Sequence, residues 1–309
     1  MSVDDVLDLN RHHNENPEDI FSLFLPMLYD YEPITHADAG AIFTYRRKSS
    51  EMQEATSFTI KLEVPDTLAK NNGLHASSIW SSALYLADNI DDHLRLAQWT
   101  KERIALGKSC EVLELGAGAG LPGITLAKSL ENVSGDWRVT LSDYPDDNIV
   151  STLRKNVVRN GLSKDRCMVS PYNWGTDASS LIAPTARADG ALGFDLIIAA
   201  DTLWNSDFHA HFLCTLETLL RRDADSRIHL IAGFHTGRFM IQRFLDAASS
   251  RSLEVVHVEE RTVSSTLSSA NDKEVRSKAW DLHREDYDPK ERRKWVVWIV
   301  LRWSRQDAK

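Results

Sequence analysis

Apolar positions along the chain switch between two spacings, and the switching predicts its elements. Phe58, Ile60, Leu62 and Val64 stand two apart, the period of a half-buried strand over residues 58–64. Trp80, Leu84, Leu86 and Ala87 follow a helical spacing, with Ser77 placed to cap that helix. From residue 110 the types alternate: strand 110–115, helix 122–130, strand 137–142, helix 149–160 ended by Gly161, strand 194–200, helix 208–220, strand 228–232 and helix 239–248. Strands separated by helices predict a parallel sheet covered on both faces. The rhythm breaks at 253–262 and 295–303, which both read as strands with no strong helical crossover between them. The run Trp295-Val296-Val297-Trp298-Ile299-Val300-Leu301 has few polar positions, as a strand buried on both faces does. The expectation is an α/β fold, a doubly wound, mostly parallel sheet with an antiparallel strand inserted near the C-terminus.

Residues 1–56 read as an N-terminal extension, partly disordered, with Ile20, Phe21, Leu23, Phe24 and Leu25 forming an apolar cluster that docks on the body. Residues 57–309 form the principal domain, and 264–293 is a polar insert.

Composition narrows the function classes. With 309 residues, 42% hydrophobic and 26% charged, the chain is an ordinary globular one. Its formal net charge of -9 supplies no broad positive field, which argues against nucleic acid as a partner while leaving room for a local basic patch. Cys110, Cys167 and Cys214 have neither disulfide-framework nor zinc-site spacing, so no metal is assigned and a cytoplasmic location is expected. No apolar run of membrane-spanning length occurs, so no membrane association is expected.

The densest signal is Val112-Leu113-Glu114-Leu115-Gly116-Ala117-Gly118-Ala119-Gly120-Leu121-Pro122-Gly123, a strand running into closely spaced glycines with Pro122 in the first turn of a helix. Glycines let a ligand lie against bare backbone, and strand ends are where open α/β sheets bind ligands. Gly118-Ala119-Gly120-Leu121-Pro122-Gly123 fits the dinucleotide pattern G-x-G-x-x-G, whose purpose is to set a pyrophosphate at a helix N-terminus. Against that stands Glu114, whose carboxylate repels phosphate and suits a ligand carrying an ammonium and a sulfonium. S-adenosylmethionine is therefore the better match. Asp143 closes the next strand, at about the distance expected of a carboxylate that holds ribose hydroxyls.

These residues stand in one order with Trp80, Ser142-Asp143-Tyr144-Pro145-Asp146, Asn173-Trp174-Gly175 and Asp201-Thr202-Leu203-Trp204-Asn205. The set resembles the seven-β-strand methyltransferases of the lysine-methyltransferase group often called family 16. Within it the chain looks closest to the nicotinamide N-methyltransferase-like fungal branch, which includes protein N-terminal and lysine methyltransferases of elongation factor 1-alpha. Pro17-Glu18-Asp19-Ile20-Phe21 is similar to that branch as well. The resemblance covers roughly residues 18–240 and implies a seven-stranded, Rossmann-like class I methyltransferase sheet. It further implies that Glu114, Gly116 and Gly118 line the methionine end of the cofactor, Asp143 holds its ribose, Trp174 packs beside the adenine and Trp80 closes the pocket. Ala117, Tyr144 and Ala200 complete the expected cofactor-binding set. Asp201, closing the strand that ends in Ala200, falls where the family places an acidic residue near methyl transfer, with Trp204 as its aromatic companion.

Three departures from the family stand out. Trp204 replaces a frequent Tyr or Phe, the stretch Gly233-Phe234-His235-Thr236-Gly237-Arg238 lacks the usual proline-containing turn, and the 264–293 insert has no clear counterpart.

Methyl transfer from a sulfonium requires alignment and exclusion of water more than acid–base machinery. Asp201 would orient the amine or accept its proton through water, and the Trp204 π-face would stabilise the forming ammonium. The structural alternatives are a helix cap for Asp201 and core packing for Trp204, Trp174 and Trp80. Four functions stay open: methylation of a protein lysine or N-terminal amine, with elongation factor 1-alpha one candidate substrate; methylation of a small nitrogen compound such as nicotinamide; NAD-dependent oxidoreduction; and non-catalytic binding.

Overall fold

The computed structural model describes residues 33–47, 57–91, 94–187, 190–234, 237–263, 276–284 and 289–304. β1 (Thr35–Asp38), β2 (Ile42–Arg46), β3 (Thr59–Glu63) and β4 (Ser78–Trp80) form two antiparallel pairs, β1 with β4 and β2 with β3. β1 and β2 lie inside the stretch expected to be an extension. They join the body because Phe43 and Tyr45 turn inward along β2, and the Tyr45 hydroxyl donates to Asp88 Oδ1 at 2.8 Å. The rest of that stretch, including the apolar cluster from Ile20, lies outside the described residues.

Helix α1 (Ser81–Asp88) begins later than its spacing suggests, because residues 78–80 are spent on β4. Ser77 does not cap it; its hydroxyl lies 2.9 Å from Thr67 Oγ1 instead. Helix α2 (Leu96–Ala105) follows, an element absent from the sequence expectation. The alternating region then follows the expected order, with one short strand, β7, that the sequence expectation lacked: β5 (Cys110–Leu115), α3 (Leu121–Leu130), β6 (Trp137–Ser142), α4 (Asp147–Arg159), β7 (Cys167–Val169), β8 (Leu196–Ala200), α5 (His209–Leu219), β9 (Arg227–Gly233) and α6 (Arg238–Ser249). β10 (Leu253–Thr262), β11 (Ser277–Ala279) and β12 (Trp295–Trp303) close the sequence of elements.

The main sheet has the order β11-β10-β12-β9-β8-β5-β6-β7. Pairing is parallel from β9 to β7, and β12 lies antiparallel between β9 and β10. The sheet thus has an eighth strand beyond the expected seven. That strand, β11, belongs to the expected polar insert and pairs with β10 through Glu259↔Ala279 and Arg261↔Ser277. The two-residue period of β5 splits the core: Cys110 and Val112 face the cluster that includes Leu86 and Leu126, while Leu113 and Leu115 face Phe194, Phe212 and Phe244. Beneath the sheet, the fully buried Asp195 receives Arg103, Arg187 and Arg221 at 2.9, 2.6 and 3.1 Å. Among the described residues no helix is long and apolar enough to cross a membrane.

From β5 the chain winds outward through β6 to β7, then returns to place β8 on the other side of β5. The carboxyl ends of β5 and β8 therefore flank a topological switch point, the place where open α/β sheets leave a crevice.

Candidate active site

Leaving β5, the backbone turns through Gly116 (φ +66°) and Gly118 (φ +52°), left-handed conformations that favour glycine. A Cβ at Gly116 would also stand 3.0 Å from Thr202 Cγ2, so the turn lies close under the loop after β8. The Ala117 N–H donates to the Ser142 carbonyl at 3.0 Å, tying the turn to the end of β6. Pro122 sits in the first turn of α3, as its missing N–H allows.

Glu114 shares a face of β5 with Cys110 and Val112 and so points toward α3. Its Oε2 accepts the Gly123 N–H at 2.9 Å. Gly123 must be glycine here, because any Cβ would overlap both that oxygen and Leu141 Cδ2. The N-terminus of α3, the location a pyrophosphate would need in the dinucleotide reading, is thus taken by a carboxyl group of the protein itself.

Asp143 mirrors this arrangement at the end of β6. Its Oδ2 accepts from Gly118 N and its Oδ1 from Tyr144 N, both at 2.7 Å. Burial pushes the Glu114 carboxyl up to about 8; the Gly123 hydrogen bond opposes this and the nearby Asp143 adds to it. Burial likewise pushes Asp143 up to about 6, opposed by its two backbone hydrogen bonds. The sequence pictured Glu114 as a standing negative charge. Burial instead disfavours its ionised form, and a cation beside it would favour that form again.

Aromatic groups build the opposite walls. The Tyr172 N–H donates to the Asp143 carbonyl at 2.8 Å and the Gly175 N–H to Thr215 Oγ1 at 2.9 Å, which holds Trp174 between them against Phe212. Trp80, at the end of β4, donates its indole N–H to the His75 carbonyl at 2.9 Å. The His75 ring meets Trp204 edge-on, with centroids 4.7 Å apart, and Trp204 meets Phe208 at 5.8 Å. Asp146 anchors the segment before His75, accepting from Asn71 Nδ2 at 2.6 Å while its other oxygen caps α4.

Asp201 follows β8 with φ +58°, a backbone state uncommon outside glycine and tolerated by Asp. Its N–H donates to the Ile231 carbonyl at 2.8 Å, and its Oδ1 accepts the Gly233 N–H at 3.2 Å. It caps no helix: that role falls to Asn205, whose side chain accepts from Asp207 N.

Trp80, Glu114, Gly116, Ala117, Gly118, Asp143, Tyr144, Trp174, Ala200, Asp201 and Trp204 all line one cavity of about 470 Å³. That volume lies within the range of about 300–1,000 Å³ usual for small-molecule pockets. The cavity is lined also by residues that sequence reasoning missed. Thr202 Oγ1 is buried without a hydrogen-bond partner. His211 packs its ring against the position a Gly175 side chain would need. His75 sits in a polar loop with no periodic signal. His235 lies outside the described residues. Among the described residues, no group of His, Cys, Asp and Glu could hold a metal ion.

The pocket fits S-adenosylmethionine on its own terms: two buried carboxyls for cationic and hydroxyl groups, glycines that bare the backbone, an orphan hydroxyl, and an indole for a flat ring.

Comparison with known proteins agrees. The lysine methyltransferase family model matches residues 62–250, more than half of the chain. The protein N-terminal and lysine N-methyltransferase EFM7 of Yarrowia lipolytica is 30% identical over 190 residues, which cover 56% of this chain and 60% of that protein. Its namesake in Neurospora crassa is 28% identical over 255 residues, 78% of each chain. Among solved structures, a putative O-methyltransferase from Klebsiella pneumoniae superposes with a TM-score of 0.40 at 15% identity, over 78% of this chain and 83% of that one. The matched stretch holds the glycine-rich turn, both buried carboxyls and Asp201, and the chain belongs to the lysine methyltransferase family.

Proposed function

We propose that this chain is an S-adenosylmethionine-dependent methyltransferase acting on a protein amine, either a lysine or an N-terminal amine. The observation that carries the reading is the pair of buried carboxyls at the ends of β5 and β6, set around a glycine turn whose helix N-terminus is already occupied. Elongation factor 1-alpha is the acceptor we propose to test first, on the likeness of the motifs, and the cytoplasm is the proposed compartment.

When bound, S-adenosylmethionine supplies a methyl group activated by its sulfonium. Glu114, with Gly116, Ala117 and Gly118, would hold the amino-acid end of the cofactor; Asp143 and Tyr144 would take the ribose, and Trp174 the adenine. Trp80, edge-on to His75, screens the mouth from water, which keeps the electrostatic interactions inside strong. Ala200 leaves room at the end of β8 for the donor and acceptor to meet. Asp201, held by Gly233 N, orients the incoming amine, and Trp204 presents its π-face to the positive charge that forms there. Bound there, the amine would lie in line with the activated methyl group, and its surplus proton would leave to water past Asp201. A lysine must be neutral to attack, and Asp201 would orient the amine and accept the proton shed beforehand, directly or through water.

Calorimetric titration with S-adenosylhomocysteine and with NAD tests the cofactor: micromolar binding of the first and none of the second is expected, and the reverse would overturn the reading. Incubation with tritiated cofactor and a cell lysate then tests the acceptor. Label in a discrete protein band is expected; label confined to small molecules would move the assignment to a nicotinamide-like substrate.

A further inference from the structure

Among the described residues, three besides glycine hold a left-handed backbone: His75 (φ +56°), Arg95 (φ +52°) and Asp201 (φ +58°). Arg95 stands just before α2, whereas His75 and Asp201 line the same cavity. A side chain in that conformation carries strain that its surroundings must impose, and such positions gather at functional sites. Asp201 has a role in methyl transfer, and His75 as yet has none. The chain holds His75 from both sides. Before it, Asn71 is tied to Asp146; after it, the Trp80 indole N–H donates to the His75 carbonyl at 2.9 Å. The His75 ring stands edge-on to Trp80 and to Trp204, with centroids 5.8 and 4.7 Å away. His75 is exposed while both indoles are half-buried, which sets the imidazole at the mouth with Trp204 beside it.

Among the described residues, none hydrogen-bonds to a ring nitrogen of His75. A neutral imidazole offers one nitrogen that accepts and one that donates. A neutral primary amine has two N–H groups and one lone pair, so two acceptors placed about it fix where that pair points. Asp201 is one such acceptor. Other polar groups of the cavity are engaged elsewhere. Glu114 and Asp143 accept backbone N–H groups, the Tyr172 hydroxyl donates to the Thr176 carbonyl at 3.1 Å, and His211 packs against Gly175, next to Trp174. The remaining titratable groups about His75 are Tyr144 in the cavity wall, Asp207 on the loop that carries Trp204, Lys70 on its own segment and Asp146 against it.

Resting on the methyl-transfer reading, we propose that His75 is a further acceptor-binding residue: together with Asp201, its neutral ring accepts an N–H of the incoming amine and so aims the lone pair at the methyl group. Once protonated, His75 has no acceptor left and repels an ammonium. The site therefore turns acceptors away as the pH falls through the range where histidine titrates.

The test compares the full-length protein with two variants in transfer from tritiated S-adenosylmethionine to the proteins of a heat-treated cell lysate, counted after acid precipitation. Gly and Asn both accept the left-handed backbone, and only Asn keeps a side-chain acceptor. His75→Gly should slow transfer about tenfold at pH 8, the scale of one hydrogen bond to a reacting group. Its affinity for S-adenosylhomocysteine, read by calorimetry, should stay within about threefold of wild type. His75→Asn should restore most of the rate, a rescue that mere packing of the ring would not allow. On going from about pH 8 to about pH 5.5, the wild type should lose at least about threefold more activity than His75→Asn, whose amide does not titrate. Three results each overturn the role of His75 and leave methyl transfer standing: His75→Gly as fast as wild type, His75→Asn as slow as His75→Gly, or parallel pH profiles for wild type and His75→Asn. A wild type that binds S-adenosylhomocysteine yet labels no lysate protein overturns both readings.

Discussion

The Glu114 carboxyl accepts the Gly123 N–H at 2.9 Å across the start of α3, so one side chain both fills a helix N-terminus and forms a wall of the cofactor cavity. Adding a methyl at residue 123 tests this double use. Gly123→Ala would force its Cβ into Glu114 Oε2 and Leu141 Cδ2. The expected outcome is a loss of about 1–3 kcal/mol in stability from overpacking, together with at least tenfold weaker S-adenosylhomocysteine binding. Thermal melts and calorimetry on the same preparation check both, and unchanged affinity would separate Glu114 from the cofactor.

Protonation of Glu114 gives the second expectation. Burial pushes its carboxyl up to about 8, against 4.5 for an unperturbed one. An ammonium docking beside it favours the ionised form and lowers that value. Between the two values, binding must release a proton. Calorimetry at pH 7 in buffers of differing ionisation enthalpy should show close to one proton released, and Glu114→Gln should abolish most of it. Stability of the ligand-free protein follows the same sign: a raised carboxyl in the folded state means that stability present at pH 4 is lost as the pH climbs toward 8. Asp143, near 6, adds to the lower part of that fall.

Asp201 is expected to matter for turnover and little for cofactor binding. Asn tolerates the left-handed backbone that Asp201 adopts and removes only the charge, which makes Asp201→Asn the clean variant. Transfer should slow by about 10²-fold, within the usual range for a positioned acid or base, while S-adenosylhomocysteine affinity stays within about threefold. Single-turnover assays with saturating cofactor read the first and titration the second. An equal fall in both would place Asp201 on the cofactor rather than the acceptor.

Asp195 offers a contrast remote from the chemistry. It is fully buried beneath three arginines, and removing it strands their charge. Asp195→Ala should cost about 3–5 kcal/mol in denaturant unfolding. Protein that remains folded should bind cofactor as the wild type does.

The carboxyls of the site were legible because each lies at, or just past, the carboxyl end of a strand. Glu114 sits in 110–115, Asp143 follows Trp137–Ser142, and Asp201 follows Leu196–Ala200. A strand's length fixes where its end falls, and the switch-point rule says that such ends converge. Helix α2 was illegible for the opposite reason: Arg103 reads as a surface residue, yet it is 4% exposed and paired with Asp195, so the buried stripe is masked in the sequence. β1 and β2 are too short for their alternation to stand out. His75 and Thr202 reach the cavity through tertiary anchoring, His75 behind the Asn71–Asp146 hydrogen bond and Thr202 beneath Gly116. No local pattern encodes such anchoring. Burial depth, which raises the Glu114 carboxyl above its usual range, is likewise a property of the folded neighbourhood.

The position of β12 has a consequence for how the molecule comes into being. Trp295–Trp303 lies inside the sheet, between β9 and β10, although it is synthesised after both. During translation the nascent polypeptide must hold two open strand edges apart until this segment arrives, and β10 has only the three-residue β11 on its other side. Sheet closure is therefore a late, long-range event that also brings Trp295 and Val296 to a cavity that Asp201 lines. Catalytic competence and escape from edge-to-edge aggregation arrive in the same step.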